Sequence, residues 1–329
     1  MSDPPELPGV EHRYVNAGGL RTHVALAGDG QGPGLPLLLL HGWPQHWWCW
    51  RHLIAPLARS HRVIAPDLRG HGWTDAPPGG YDKETLASDV LALLDALELE
   101  RVGLIGHDWG GWVGFLLCLR APERFERYLA LNTGHPWPSA DARNLLSLWR
   151  FAYLPVVGAP AVGPWLVRTQ DDRLMERLRD SAARPEAFTD ADLAIFAERL
   201  RDPARAHASS LLYRTFVLSE QLPIALGRYR SQRLRTPTRM LFGTQDPVLT
   251  PRMLEGYEPH ADDMGVELVD DAGHFIAEDR PQLVAERALA FFAAGTSSLS
   301  CSIGSTSSIS RAATSPPTCS TSRPAWAAS

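Results

Sequence analysis

Three residues of this chain have the types and the order that covalent hydrolysis requires: Asp108, Asp246 and His274. Asp108 stands in Leu104-Ile105-Gly106-His107-Asp108-Trp109-Gly110-Gly111, a small-x-nucleophile-x-small turn behind an apolar run. A turn of this kind between strand and helix lifts its middle residue out of the backbone, and the flanking glycines are needed because a Cβ would crowd it. A serine at that position would need a base before it could attack an acyl carbon. A carboxylate is already ionised at neutral pH and can attack a saturated carbon directly, leaving an alkyl ester on the protein. The plainer alternative is an aspartate that caps a helix N-terminus.

Freeing such an ester takes a base to activate water, an acid to orient the base, and donors for the tetrahedral oxyanion. Asp246 follows an apolar run in Phe242-Gly243-Thr244-Gln245-Asp246-Pro247, and His274 follows another in Asp271-Ala272-Gly273-His274-Phe275. Alone, Asp246 reads as a turn former before proline, and His274 as one histidine among 12. The order nucleophile, acid, base at successive strand ends is that of an α/β-hydrolase triad. His41-Gly42-Trp43-Pro44 follows the run Leu37 to Leu40, so the main-chain N–H groups of Trp43 and Trp109 are the candidate oxyanion hole. His41, Trp137 and Phe275 are assigned to substrate contact.

The elements that must position these residues come from a chain of 329 residues, 44% hydrophobic and 21% charged, long enough for one large domain with an insertion. A net charge of -5 without long runs of one sign argues against nucleic acid. No segment has the ~20 apolar residues of a membrane span, and the start carries no targeting pattern, so a cytoplasmic location is expected. Cys49, Cys118, Cys301 and Cys319 have neither metal-ligand nor disulfide-framework spacing. Cys49 and Cys118 read as buried structural thiols. No metal or other cofactor is called for, and both monomer and homodimer remain open.

Short apolar strands alternate with helical stretches, which predicts an α/β fold with a mostly parallel sheet. Strands are expected at 22–27, 36–40, 63–66, 102–105, 128–132, 239–242 and 266–269. The alternation lapses over 134–235, where helical periods such as the capping start at Thr189 to Asp192 predict an inserted helical cap. The core is then 1–133 with 236–295. Half of residues 296–329 are Ser or Thr and none is acidic, which predicts a disordered low-complexity tail.

Taken together, His41-Gly42-Trp43-Pro44, Asp67-Leu68-Arg69-Gly70-His71-Gly72, the Asp108 elbow, Asp246 and His274 resemble the α/β-hydrolase-fold epoxide hydrolases over roughly residues 10 to 294. The resemblance implies a helical cap over the nucleophile, no cofactor, and two cap tyrosines that point at the substrate. Tyr153 and Tyr213 match those positions in order and spacing; Tyr229, between Arg228 and Arg230, is expected at the surface. The alternative for either tyrosine is an aromatic that packs the cap onto the core.

The leaving atom separates the readings. An epoxide opens to a strongly basic alkoxide, which needs a proton donor, and tyrosine with a pKa near ~10 supplies one at neutral pH. A halide leaves unaided. Haloalkane dehalogenases, the alternative function, also have tryptophan after the aspartate, but usually carry a side-chain amide or acid where Trp43 stands. A hydrolase fold kept only as a binding protein would be free to lose the acid or the base, and both are present. The aromatics Trp43, Trp47, Trp109, Trp137, Phe151 and Phe275 favour a small apolar epoxide as substrate.

Overall fold

The computed structural model describes residues 2–29, 34–138 and 148–293. The tail expected over 296–329, with Cys301 and Cys319, lies outside the described residues. The fold opens with a hairpin: β1 (Val10–Ala17) and β2 (Leu20–Ala27) pair antiparallel across Gly18 and Gly19, both at positive φ. The sequence reading has no strand at β1, because its side chains are mostly polar and half exposed at the sheet edge. The Gly-Gly pair is the signal that marks it.

Beyond the hairpin come β3 (Leu37–Leu40), β4 (Val63–Pro66), β5 (Val102–His107), β6 (Phe125–Leu131), β7 (Thr238–Gly243) and β8 (Met264–Val269). They form one sheet of order β1-β2-β4-β3-β5-β6-β7-β8, in which β2 runs antiparallel to both neighbours and every other pairing is parallel. Strands β3, β4 and β5 are buried at every residue, which is why they read as unbroken apolar runs: helices cover both faces of a parallel sheet. The covering helices include α1 (Arg51–Ala58), α2 (Lys83–Ala96) and α3 (Asp108–Arg120). Cys49 and Cys118 are buried free thiols.

Between β6 and β7 the described chain is helical: α4 (Tyr153–Gly158), α5 (Val162–Thr169), α6 (Asp171–Asp180), α7 (Asp190–Arg201), α8 (Pro203–Thr215), a π turn (Phe216–Glu220) and α9 (Gln221–Ala225). Thr189 and Asp192 form a reciprocal capping box at the start of α7. After β8 come α10 (Ile276–Asp279) and α11 (Pro281–Ala293). No helix among the described residues is long and apolar enough to cross a membrane.

Polar staples fasten this insertion to the sheet layer. Asp192 accepts from the Trp48 indole at 2.8 Å and pairs with Arg51 Nε at 2.9 Å, while Arg51 Nη1 reaches Glu278 Oε1 at 2.8 Å. Arg199 Nε donates to the Gly72 carbonyl at 3.0 Å, and Arg205 to those of Gly72 and Thr74. Tyr229, expected at the surface, is buried: its hydroxyl donates to Glu84 at 2.9 Å. Arg228 lies over its ring, 5.5 Å from the centroid, and stands 3.9 Å from the same Glu84.

Asp192 therefore serves both as a helix cap and as the partner of a buried guanidinium. Asp192→Ala is expected to destabilise the protein by about 3 kcal/mol, the sum of a lost cap and a half-broken buried pair. Chemical denaturation would measure it, and a loss under about 1 kcal/mol would remove Asp192 from the set of staples.

Candidate active site

Strand β5 ends at His107 and α3 begins at Asp108, whose φ of +49° is a backbone state that L side chains rarely adopt. The elbow closes so tightly that a Cβ on Gly110 would lie 2.3 Å from the Leu40 carbonyl oxygen. Thr133 Oγ1, just past β6, donates to the Asp108 carbonyl at 2.8 Å and pins the turn from outside. The loop after β3 comes as close from the other side. A Cβ on Gly42 would meet Asp108 Oδ2 at 2.4 Å, so the glycine lets the next residue, Trp43, donate its N–H to that oxygen at 2.9 Å. The Trp109 N–H lies close enough to the same carboxylate to lower its pKa. The two nominated oxyanion donors thus converge on Asp108.

His274 lies beside it, with Nε2 3.8 Å from Asp108 Oδ1 and Nδ1 2.8 Å from Asp246 Oδ2. Asp246 is held on every side: Oδ2 also accepts from Asn132 Nδ2 at 2.8 Å, and Oδ1 from the N–H groups of Val248 at 2.7 Å and Leu249 at 3.0 Å. These donors decide the charge states. Burial pushes the Asp246 carboxyl up, but His274, Asn132 and Leu249 outweigh it and hold the group below its ordinary value. Burial pulls the His274 imidazole down, and the Asp246 and Asp108 carboxylates reverse this, raising it to about 9. Asp108 is raised by burial, against the pull of His274 and the two N–H donors. The His274 imidazole is thus flanked by two acidic side chains, Asp246 at Nδ1 and Asp108 at Nε2.

Tyr213, on α8, packs edge to face on Trp43 at 5.0 Å between ring centroids, on Trp109 at 5.7 Å and on Tyr153 at 5.8 Å. Burial pushes both phenols above their ordinary pKa, and the Asp108 charge pushes the same way, so both stay protonated at neutral pH. The structure therefore gathers Asp108, Asp246, His274, Trp43, Trp109, Tyr153 and Tyr213 in one place.

The substrate-contact assignments fare differently. His41 is fully buried with both ring nitrogens spent on the backbone: Nδ1 donates to Gly42 O at 2.9 Å and Nε2 accepts from Leu68 N–H at 3.0 Å. Its ring shapes the loop that carries Trp43 and has no nitrogen left for a substrate. Trp137 is also corrected. Its indole donates to Tyr229 O at 2.8 Å and its ring stacks on His260 at 5.3 Å, beside a cavity of about 110 Å³ lined by Ile224, Gly227 and Arg230 rather than by the Asp108 group. Trp47 is likewise core, against His12 and His23. Phe275 packs edge to face on His274 at 5.0 Å and on Phe188 of the insertion at 5.7 Å, which places it beside that imidazole.

Several supports escape sequence reasoning. His107, pushed down to about 3 by burial and so neutral, donates Nε2–H to the His274 carbonyl at 2.9 Å. The His274 N–H donates to Ser181 O of the insertion at 2.9 Å. Asp279 gathers the N–H groups of Gly273 at 2.7 Å, Ala183 at 3.1 Å and Arg184 at 2.9 Å. Asn132 sits at a strand end with φ of +37°, a state in which asparagine is enriched, and that is the one signal available for it.

Known proteins share this arrangement of chain. A family model described as alpha/beta hydrolase fold matches residues 36–281. The chain is 31% identical to the AB hydrolase superfamily protein YfhM of Bacillus subtilis (strain 168) over 283 residues, covering 84% of this chain and 96% of that protein. It is 30% identical to a soluble epoxide hydrolase of Corynebacterium sp. (strain C12), covering 86% of this chain and 98% of that one. Among solved structures, the epoxide hydrolase CorEH without ligand is similar at a TM-score of 0.76 and 30% identity, over 87% of this chain and 99% of the other. With its mostly parallel sheet, the tight strand-to-helix turn at Asp108 and these relatives, the chain belongs to the α/β-hydrolase fold family.

Proposed function

We propose that this protein is an epoxide hydrolase, and that the helical insertion over 134–235 is the cap of its active site. The observation that carries the reading is a carboxylate at the elbow facing two protonated phenols. The carboxylate supplies a nucleophile for saturated carbon, and the phenols supply the proton that an epoxide, unlike a halide, requires. The printed names of relatives such as the soluble epoxide hydrolase of Corynebacterium sp. support the same substrate class.

In the proposed cycle a small apolar epoxide lies between Asp108 and the tyrosines. Asp108 Oδ1 attacks a ring carbon from behind while Tyr153 and Tyr213 hydrogen-bond the ring oxygen, and the C–O bond breaks with a phenol proton passing to the departing oxygen. Oδ2, tethered to the Trp43 N–H, remains as the carbonyl oxygen of the hydroxyalkyl ester. Esterification cancels the Asp108 charge. One of the two carboxylates beside the imidazole is then gone, so a protonated His274 gives up its proton more readily, through solvent to the phenolate left by ring opening, and becomes a base when one is needed. It takes a proton from water, the hydroxide adds to the ester carbonyl, and the N–H groups of Trp43 and Trp109 receive the oxyanion. Collapse breaks the Cγ–Oδ1 bond, the departing alkoxide takes the proton of the newly added hydroxyl, and the vicinal diol leaves with Oδ1 of Asp108 in it. The haloalkane reading uses the same triad but needs no phenol.

Removal of the base should trap the ester. His274→Gln incubated with styrene oxide is expected to gain the full mass of the epoxide by intact mass spectrometry, whereas a haloalkane would add only its alkyl group. A protein whose mass stays constant with both substrate classes would sink the nucleophile assignment.

Tyr213→Phe should slow alkylation by ~10²-fold while leaving ester hydrolysis nearly untouched. Rapid-quench measurement of the two steps decides it, and equal losses in both would reduce the tyrosine to packing.

In Asp108→Asn, a neutral stand-in for the ester, the His274 pKa is expected to fall below about 9. Hydrolysis needs the neutral imidazole, so a lower pKa extends its plateau toward acid. Histidine NMR titration would show this, and an unmoved pKa would rule out the charge-switched base.

A further inference from the structure

A lysine and a glutamate lie buried together beneath Trp109, and the cycle above gives neither of them a task. Lys83 heads α2 with no surface exposed; its Nζ donates to Glu220 Oε2 at 2.8 Å and to the Leu212 carbonyl at 2.9 Å. Its main-chain N–H donates to Glu220 Oε1 at 2.9 Å. The ammonium stands 4.5 Å from the centroid of the Trp109 ring and 5.3 Å from that of Phe216, and those two rings meet edge to face at 4.9 Å. Burial draws the Lys83 pKa down, and Glu220 works against the loss of charge.

Such a pair adds little to stability compared with apolar side chains of the same size, because desolvation cancels most of the attraction. Its location is more telling than its strength. Leu212 immediately precedes Tyr213 in the last turn of α8, where the Phe216 N–H is already shared between the Leu212 and Tyr213 carbonyls. The chain then widens into the π turn Phe216–Glu220, which ends with the Glu220 side chain on Lys83. A cation at this point meets the negative end of the α8 dipole and supplies a second donor to Leu212 O. One ammonium therefore grips the turn that bears Tyr213, the π turn that follows it, and the face of the indole against which Tyr213 packs.

We propose that Lys83, held in place by Glu220, is a positioning residue for ring opening: it fixes the Tyr213-bearing turn and braces the Trp109 ring, so that the phenol stays aimed at the leaving oxygen. The role rests on the proposed epoxide chemistry. Through Trp109 it also reaches the N–H that serves Asp108, but the Trp43 N–H serves the same carboxylate independently, so the effect falls chiefly on the phenol.

The test is a double-mutant cycle read on the two half-reactions with styrene oxide. Lys83→Met/Glu220→Gln preserves volume, leaves no unpaired buried charge, and keeps an amide oxygen for the main-chain N–H of position 83. Alkylation is expected to slow by at least about tenfold, with ester hydrolysis within about twofold of wild type. In a Tyr213→Phe background the same pair of substitutions should cost alkylation nothing further, because the residue it positions has lost its hydroxyl. Unchanged alkylation, equal loss in both steps, or losses that multiply with Tyr213→Phe would each overturn the proposal. Should the double variant fail to fold, Glu220→Gln alone is expected to slow the same step to a smaller degree and to lose that effect beside Tyr213→Phe; no slowing overturns the role. If wild type forms no ester with any epoxide, both this role and the proposed function fall. If wild type and the pair variant form it equally fast, only the positioning role does.

Discussion

The pairing of one imidazole with two buried carboxylates governs much of what surrounds it. Asp108 and Asp246 would repel each other in a dry site, and each would be driven toward its neutral form by burial alone. The His274 imidazole between them eases the conflict, lowering both carboxyls against burial, and fixed dipoles add to it: the Trp43 N–H on one side, Asn132 and the N–H groups of Val248 and Leu249 on the other. The division of donors is unequal. Asp246 has a full complement of donors and is held below its ordinary pKa, while Asp108, with fewer, is raised above its own.

The helical insertion is attached by similar means. Its contacts with the sheet layer run through Asp192 with Trp48 and Arg51, Arg199 and Arg205 with main-chain carbonyls near Gly72, and Glu220 with Lys83. Bonds of this sort fix orientation more sharply than an apolar face does, since a hydrogen bond weakens steeply with angle while hydrophobic contact is non-directional. The proposed function, which requires two phenols held near Asp108, gains from that difference.

What could be read from the sequence was local. The elbow announces itself within eight residues, and β3 to β5 as unbroken apolar runs, because double burial leaves no polar face to interrupt them. The strand ends that carry Asp246 and His274 follow from the same logic. What escaped was set by partners far along the chain: Lys83 and Glu220 are 137 residues apart, Asn132 and Asp246 are 114. His41 illustrates the opposite failure. It stands next to the right loop, but the backbone of that loop and of Leu68 claims both its nitrogens. Trp137 and Tyr229 are both set by partners distant in sequence, the indole of Trp137 on the Tyr229 carbonyl and the Tyr229 hydroxyl on Glu84, and their neighbours along the chain give no hint of it.

The bond from the His274 N–H to Ser181 O, reinforced by Asp279 across Gly273, Ala183 and Arg184, ties the loop of the base to the insertion itself. The insertion and the His274 loop are therefore one mechanical unit. Grafting the helical segment of a relative onto this scaffold would exchange more than the walls of a substrate chamber, because residues 181 to 184 travel with the graft and carry the alignment of the histidine. A chimera that keeps that short stretch native while trading the rest is the version that preserves the geometry of the reacting groups.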